Sequence, residues 1–424
     1  MIKSIPGTKD ILPEEIIYWK NLENIVHQIF SNFNYKEIRT PIFEETILFS
    51  RGIGEETDIV GKEMYTFFDK GNTSLTLKPE MTASVVRSFI EHSLGKLQPL
   101  NKLYYISPMF RQERPQAGRQ RQFHQFGCEA IGSNSPILDG EIIITAYRIL
   151  QKLNLKDLKV KINSLGIPSA RESYKKILRE YLRNKLHLLS EDSRKRFENN
   201  ILRIFDSKIE SDIDVVKDAP KLIDYIDDES KKDFEVVKEL LTNNEIPFEI
   251  DSKLVRGLDY YCKTTFEIIS GKVGAQSALC GGGRYDLLIE QLGGPPTPGV
   301  GFAAGIERIL LACKNENSTT LPEESIDIFI IRIDDELIKE VFNIADILRR
   351  GSLKVEIDYL GKSVKSQMRE ANKLKAKFVL LIGGTEYKYQ KYILKVMKTG
   401  EQIELSANNF LELQSLIYQK ISAY

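Results

Sequence analysis

Apolar residues recur along the chain with two periods, and the switches between them mark its elements. Ile16, Leu22, Ile25, Val26, Ile29 and Phe30 lie at helical spacing after a turn-rich entry, and Pro13 suits the first position of that helix. Residues 35–43 read as a strand interrupted at Pro41, an edge or bulge residue. Residues 75–78 alternate as a strand that stops at Pro79. A helix follows, with Thr82 as its expected cap and Val85, Val86 and Phe89 as its buried stripe. Residues 103–111 and 123–131 read as two strands joined by a loop. In the second, Phe126, Cys128 and Ala130 share a face that enters a core, while Gln125, Gly127 and Glu129 share the other.

Further on, Ile142, Ala146, Ile149 and Leu150 form the stripe of a helix over 139–155, and 159–163 is a short strand. From about 169 to 244 the chain turns charged and helical, with Tyr174, Ile177, Leu178, Tyr181, Leu182 and Leu186 on one face. A strand over 264–269 resumes the earlier pattern. Residues 299–308 read as a small-residue strand entering a helix that buries Ile306, Ile309 and Leu310. Their glycines lack GxGxxG spacing and a βαβ setting, which excludes a dinucleotide fingerprint. Residues 314–324 read as a linker. Beyond it come an apolar strand over 326–333, a helix carrying Leu337, Val341, Ile344 and Leu348 and ended by Gly351, and a strand over 354–359. A helix over 363–375, a strand over 378–382, a hairpin over 393–405 turning at Lys398, Thr399 and Gly400, and a helix over 410–421 complete an α/β domain.

With 424 residues the chain has room for two or three domains, and its 60 basic and 60 acidic residues cancel. A nucleic-acid site must therefore be a local patch, and residues 361–400 supply one: nine lysines and Arg369 against Glu370 and Glu386. The chain has no long apolar run and begins with neither an h-region nor a transit-peptide composition, so a cytoplasmic protein without a membrane span is expected. Cys128, Cys262, Cys280 and Cys313 are far apart and form no CxxC pair, which argues against a zinc site or a disulfide framework.

The chemistry concentrates between residues 110 and 131. Arg111, Arg114, Arg119 and Arg121 crowd one loop with Glu113, Pro115 and Gly118. A guanidinium fork fits two phosphate oxygens, so the loop suits a polyphosphate or an RNA backbone. Beside it, the Gln125/Glu129 face reads as the floor of an acidic pocket, implying a second ligand. Glu80 sits at a strand-to-helix junction, where it either meets a ligand or complements the helix dipole. Residues 254–261 hold an arginine, a glycine and two tyrosines, which can bury an anion against aromatic walls. The three glycines at 281–283 permit close backbone approach.

The run from Phe110 to Glu129 (FRQERPQAGRQRQFHQFGCE) resembles motif 2 of the class II aminoacyl-tRNA synthetases in the form carried by histidyl-tRNA synthetases. Residues 254–261 (LVRGLDYY) and 278–286 (ALCGGGRYD) resemble two blocks peculiar to that family, residues 299–308 resemble motif 3, and 35–43 resemble motif 1, on which such enzymes dimerise. Lys78 stands where the family usually has arginine.

The resemblance implies an α+β catalytic domain over 1–325, a class II antiparallel sheet flanked by helices, with a helical insertion over 169–245 that helps hold the tRNA acceptor stem. It also implies a C-terminal α/β anticodon-binding domain over 326–424. The implied activity is histidine–tRNA ligation by a homodimer acting on L-histidine, ATP and tRNA(His), with Mg²⁺ entering alongside ATP and no structural metal. Arg256 and Arg111 would act at the α-phosphate. Glu80, Thr82, Arg111, Gln125, Glu129, Arg256, Tyr260, Tyr261 and Tyr285 would bind histidine. Arg111, Glu113, Arg119, Phe123 and Arg308 would bind ATP, Glu113 at the adenine amino group, Phe123 under the ring and Arg119 and Arg308 at the outer phosphates. Gln116 would meet the acceptor end. Two other readings stand beside this one: a histidine-binding regulatory subunit without catalysis, usually lacking the C-terminal domain, and an RNA-binding module without chemistry.

Overall fold

The computed structural model of the chain describes residues 2–54, 57, 59–116, 118–255, 258, 260–271, 278–318, 325–407 and 414–419. They fall in two compact units, Met1–Leu321 and Pro322–Tyr424. The first unit holds eleven of the described strands: β1 Lys36–Glu37, β2 Phe43–Glu45, β3 Tyr65–Phe68, β4 Ser74–Leu77, β5 Asn101–Phe110, β6 Gln122–Ile131, β7 Leu158–Ser164, β8 Phe248–Ile250, β9 Cys262–Ser270, β10 Ala278–Arg284 and β11 Gly299–Gly305.

Eight of them form one sheet in the order β1-β5-β6-β11-β10-β9-β7-β8. Every pairing from β5 to β7 is antiparallel, and only the edge strands β1 and β8 pair in parallel. Strands β2, β4 and β3 form a separate antiparallel sheet. The predicted strand over 35–43 is thus mostly not a strand: only Lys36–Glu37 joins the large sheet, and Phe43 begins a different one. Pro41, which cannot donate to a ladder, falls in the gap.

The two faces of the large sheet bury different cores. On one, Phe126, Cys128 and Ala130 of β6 meet Trp19, Leu22, Val26 and Phe30 of the helix Pro13–Asn32 and Ile142, Ile143 and Ala146 of the helix Pro136–Lys152. That second helix begins three residues before the expected start, with Pro136 at its first turn. On the other, Tyr105 and Met109 of β5 meet Met81, Val85, Val86 and Phe89 around the helix Thr82–Glu91. The charged stretch between β7 and β8 joins both cores. Tyr174, Leu178 and Leu182 of its first helix, Pro168–Arg183, enter the second, and Phe234, Val237 and Leu241 of its last, Asp228–Asn243, enter the first.

The helix Ile306–Glu316 takes in the start of the expected linker and closes on Asn317 in the left-handed conformation; residues 319–324 of that linker lie outside the described residues.

In the second unit β12 Ile328–Arg332, β13 Val355–Ile357, β14 Phe378–Ile382, β15 Lys391–Val396 and β16 Gln402–Ser406 are ordered β13-β12-β14-β15-β16. The first three are parallel and the last two form an antiparallel hairpin. Val341, Ile344 and Leu348 of the helix Ile338–Arg350 cover one face, and Ala371 of the helix Val364–Lys373 covers the other. A short helix, Gly384–Lys388, was not expected; it follows Gly383 and opens on Gly384, both with positive φ, 119° and 73°. Of the helix expected over 410–421, residues 414–419 are helical and the rest lie outside the described residues. Among the described residues no helix is long and apolar enough to cross a membrane.

Candidate active site

Strands β6, β9, β10 and β11 and the loop after β5 surround a cavity of about 220 Å³. Ten residues expected in a site line it: Glu80, Thr82, Arg111, Glu113, Arg119, Phe123, Gln125, Tyr260, Tyr261 and Arg308. Glu129 and Tyr285 stand behind its floor. Gln116 is exposed at the loop tip, bridging to Arg119, and does not reach the cavity. Arg256, the candidate for the α-phosphate, lies outside the described residues.

The acidic end is a closed hydrogen-bond network. Glu80 accepts from the backbone N–H of Thr82 and of Ala83, each at 2.8 Å, and so caps the helix Thr82–Glu91. Thr82 was the expected cap, but it is the first helical residue, and a carboxylate two positions back reaches both free amides at once. The Thr82 hydroxyl instead donates to Glu129 Oε1 at 2.8 Å, while the Tyr285 hydroxyl donates to Glu129 Oε2 at 2.6 Å. Burial pushes the Glu129 carboxyl up to about 8, against the opposing hydrogen bonds from Tyr285 and Thr82. Burial also raises Glu80, offset in part by its two backbone donors. Gln125 lines the cavity too, its Oε1 buried and without a hydrogen-bond partner among the described residues. Two buried carboxyls and an open acceptor favour a cationic, hydrogen-bonding ligand.

A glycine makes room for Glu129. A Cβ on Gly301, its pairing neighbour on β11, would lie 1.9 Å from Glu129 Oε2. Of the three consecutive glycines, Gly281 lines the cavity as expected, whereas a Cβ on Gly282 would lie 2.1 Å from the Gly301 carbonyl. Gly282 therefore serves strand packing rather than ligand approach. Lys78, the departure from the family pattern, is fully buried, with Nζ 3.4 Å from Thr40 Oγ1 and 3.5 Å from Met81 Sδ.

At the basic end, Arg111 donates to the Pro79 carbonyl at 2.9 Å and lies 5.4 Å over the Phe123 ring. Arg119 Nε is 3.2 Å from Glu113. Arg308 donates to the Gly118 and Ala278 carbonyls at 2.9 and 3.2 Å. Burial, then the nearby charges of Arg119 and Arg111, lower the Arg308 pKa. Three guanidinium groups held together against mutual repulsion suit a polyanion.

Two lining carboxylates were not anticipated. Glu307 accepts from the His124 backbone N–H at 2.9 and 3.0 Å and lies 2.9 Å from His124 Nδ1, joining the strand β6 to the helix that carries Arg308. Glu267 faces the cavity from β9 near Arg308. The only sequence signals were the adjacency of Glu307 to Arg308 and the alternation within β9.

Residues 7–309 match the family described as Histidyl-tRNA synthetase, and residues 327–414 match an anticodon binding domain. The chain is 48% identical over 418 residues to the histidine–tRNA ligase of Halothermothrix orenii, covering 98% of this chain and 100% of that protein. It is 49% identical over 407 residues to the histidine–tRNA ligase of Caldanaerobacter subterraneus, covering 96% and 97%. The crystal structure of apo S. aureus histidyl-tRNA synthetase superposes with a TM-score of 0.82 at 39% identity, covering 99% of each chain.

Proposed function

The chain belongs to the histidyl-tRNA synthetase family, and from that membership we propose how its cavity divides the work of histidine–tRNA ligation. The activity is that of an ATP-dependent ligase: the histidine carboxylate attacks the α-phosphate to give histidyl-adenylate and pyrophosphate, and the histidyl group then passes to the tRNA 3′ end. The observation that carries the assignment of sites is the meeting, in one cavity, of Arg111, Arg119 and Arg308 with the buried Glu80 and the open acceptor of Gln125.

Histidine occupies the acidic end. Its ammonium displaces part of the Glu80, Thr82 and Glu129 network, and Gln125, Tyr260 and Tyr261 surround the imidazole, with Tyr285 acting from behind the floor through its bond to Glu129; this polar set rejects an apolar side chain of similar size. ATP occupies the basic end, with its adenine between Phe123 and Glu113 and its outer phosphates on Arg119 and Arg308. Arg111, between the two, faces the carboxylate and the α-phosphate, where charge builds as the bond forms. Arg256 joins it there on the strength of the resemblance of residues 254–261.

Mg²⁺ would come with ATP on its triphosphate, where it would neutralise part of the charge. Glu267, near Arg308, is the carboxylate suited to contribute to its shell. Residues 169–245 contact the acceptor stem, Gln116 meets its end, and residues 326–424 bind the anticodon of tRNA(His). The enzyme works as a homodimer, an expectation supported by exposed Phe43, Phe67 and Phe68 on the small sheet, two of them in ring contact at 6.3 Å; a cytoplasmic location is expected from the family.

The test is histidine-dependent ATP–pyrophosphate exchange followed by aminoacylation of purified tRNA with each amino acid in turn. Exchange specific for histidine is expected, and Arg256→Ala should abolish it while leaving the fold and histidine binding largely intact. Undiminished exchange in that variant overturns the placement of Arg256.

A further inference from the structure

The cavity tyrosines are held from outside. Arg171, in the first helix of the charged stretch between β7 and β8, donates from its guanidinium to the backbone carbonyl of Tyr261 at 2.6 Å. Tyr261 lines the cavity and Arg171 does not. Two residues on, Lys263 is buried and its ammonium reaches Glu229 at 2.9 Å and Asp233 at 2.8 Å, both on the last helix of the same stretch. Its backbone has φ 44°, a left-handed conformation that a side chain makes costly. Backbone bonds hold that conformation in place: Leu165 N–H donates to the Lys263 carbonyl at 2.7 Å, and Lys263 N–H donates to the Gly166 carbonyl at 2.9 Å.

The helical stretch therefore grips the entry to β9 on both sides of Cys262, with one helix on Tyr261 and another on Lys263. Tyr260 packs on Tyr261 with ring centroids 4.7 Å apart, and its hydroxyl donates to Glu80 at 3.4 Å. A displacement of the Tyr261 backbone thus moves the Tyr260 ring and disturbs the Glu80 end of the cavity. Among the described residues the basic end has no such tie: Arg111, Arg119 and Arg308 are fixed by Pro79, Glu113, Gly118 and Ala278.

We propose that Arg171 and Lys263 are positioning residues through which the helices of residues 168–243 set the amino-acid end of the cavity, so that this stretch tunes histidine affinity even in the absence of tRNA. The inference rests on the assignment of histidine to the acidic end. It requires a specific asymmetry, in which loosening the grip weakens histidine and spares ATP.

The experiment is tRNA-free pyrophosphate exchange on the full chain, titrating histidine and ATP separately. Arg171→Ala should raise the histidine KM roughly tenfold, the scale of a lost hydrogen bond from a charged donor, with the ATP KM within about twofold of wild type. Arg171→Lys, which keeps one donor, should recover most of the loss. The double substitution Asp233→Asn with Glu229→Gln removes the partners of Lys263 from the helix side and should raise the histidine KM in the same direction. Thermal melts accompany each variant, and should Arg171→Ala fold poorly the double variant decides alone. An unchanged histidine KM in folded variants, or an ATP KM that rises in parallel, overturns the proposal. A wild-type protein without histidine-dependent exchange instead refutes the functional assignment beneath it, so the two failures are separable.

Discussion

At one end of the cavity Glu80, Thr82, Glu129 and Tyr285 already satisfy one another, while at the other Arg111, Arg119 and Arg308 are crowded together against their mutual repulsion. The first arrangement is a closed network whose members yield only to a ligand offering equivalent hydrogen bonds, which makes it selective. The second is positive charge assembled before any substrate arrives, and an anion relieves it, most of all where negative charge grows during the reaction. On the proposed reading, discrimination and rate enhancement reside at opposite ends of a space of about 220 Å³.

Substitutions at the two ends should separate these roles. The largest effect is expected from Arg111→Ala, a fall of about two to three orders of magnitude in pyrophosphate exchange, as for the loss of a donor aimed at developing charge. A loss below about tenfold would remove Arg111 from the reacting centre. Next, Glu129→Gln should raise the histidine KM by roughly ten- to a hundredfold with little change for ATP, because the bonds from Thr82 and Tyr285 are then mismatched. Parallel rises in both constants would erase the proposed division. Glu113→Gln is expected to raise the ATP KM by only about three- to tenfold, since it removes one charge partner of Arg119 and one adenine contact; isothermal titration with ATP checks it.

The smallest effect concerns stability. Burial raises Glu129 from 4.5 to about 8, so between those values the folded protein holds a proton that the unfolded chain releases. Stability from this group is complete below about 4.5 and is lost as pH rises through about 8. Calorimetry of the ligand-free protein should find a Tm that declines over this window, with a shallower decline in Glu129→Gln. Identical slopes in the two proteins would show that Glu129 does not titrate there.

Much of the large sheet was legible from alternation alone. Phe126, Cys128 and Ala130 enter the core, and on the opposite face of the strand Gln125 lines the cavity with Glu129 behind it, as a period of two requires. Helices with strong stripes, such as Pro13–Asn32, were equally plain. Less regular signals failed in specific ways. The strand over 35–43 dissolved around Pro41, Thr82 yielded its capping role to Glu80, and Gly282 proved to serve a neighbouring strand. Glu307 was invisible because its partner His124 lies 183 positions away, and no local pattern encodes a contact across that distance.

The sequence by itself determined which residues face inward along the strongly periodic strands and helices, the order of the motif blocks, and the chemical character of the ligands, because side-chain periodicity and side-chain chemistry are local properties. Tertiary structure alone decided which carboxylate caps which helix, that Glu129 stands behind the floor instead of in it, and that Arg171, Glu229 and Asp233, from a different part of the chain, bond Tyr261 and Lys263 at the entry to β9. Those outcomes depend on distances of a few ångströms between residues far apart in sequence, and only the packed sheet sets such distances.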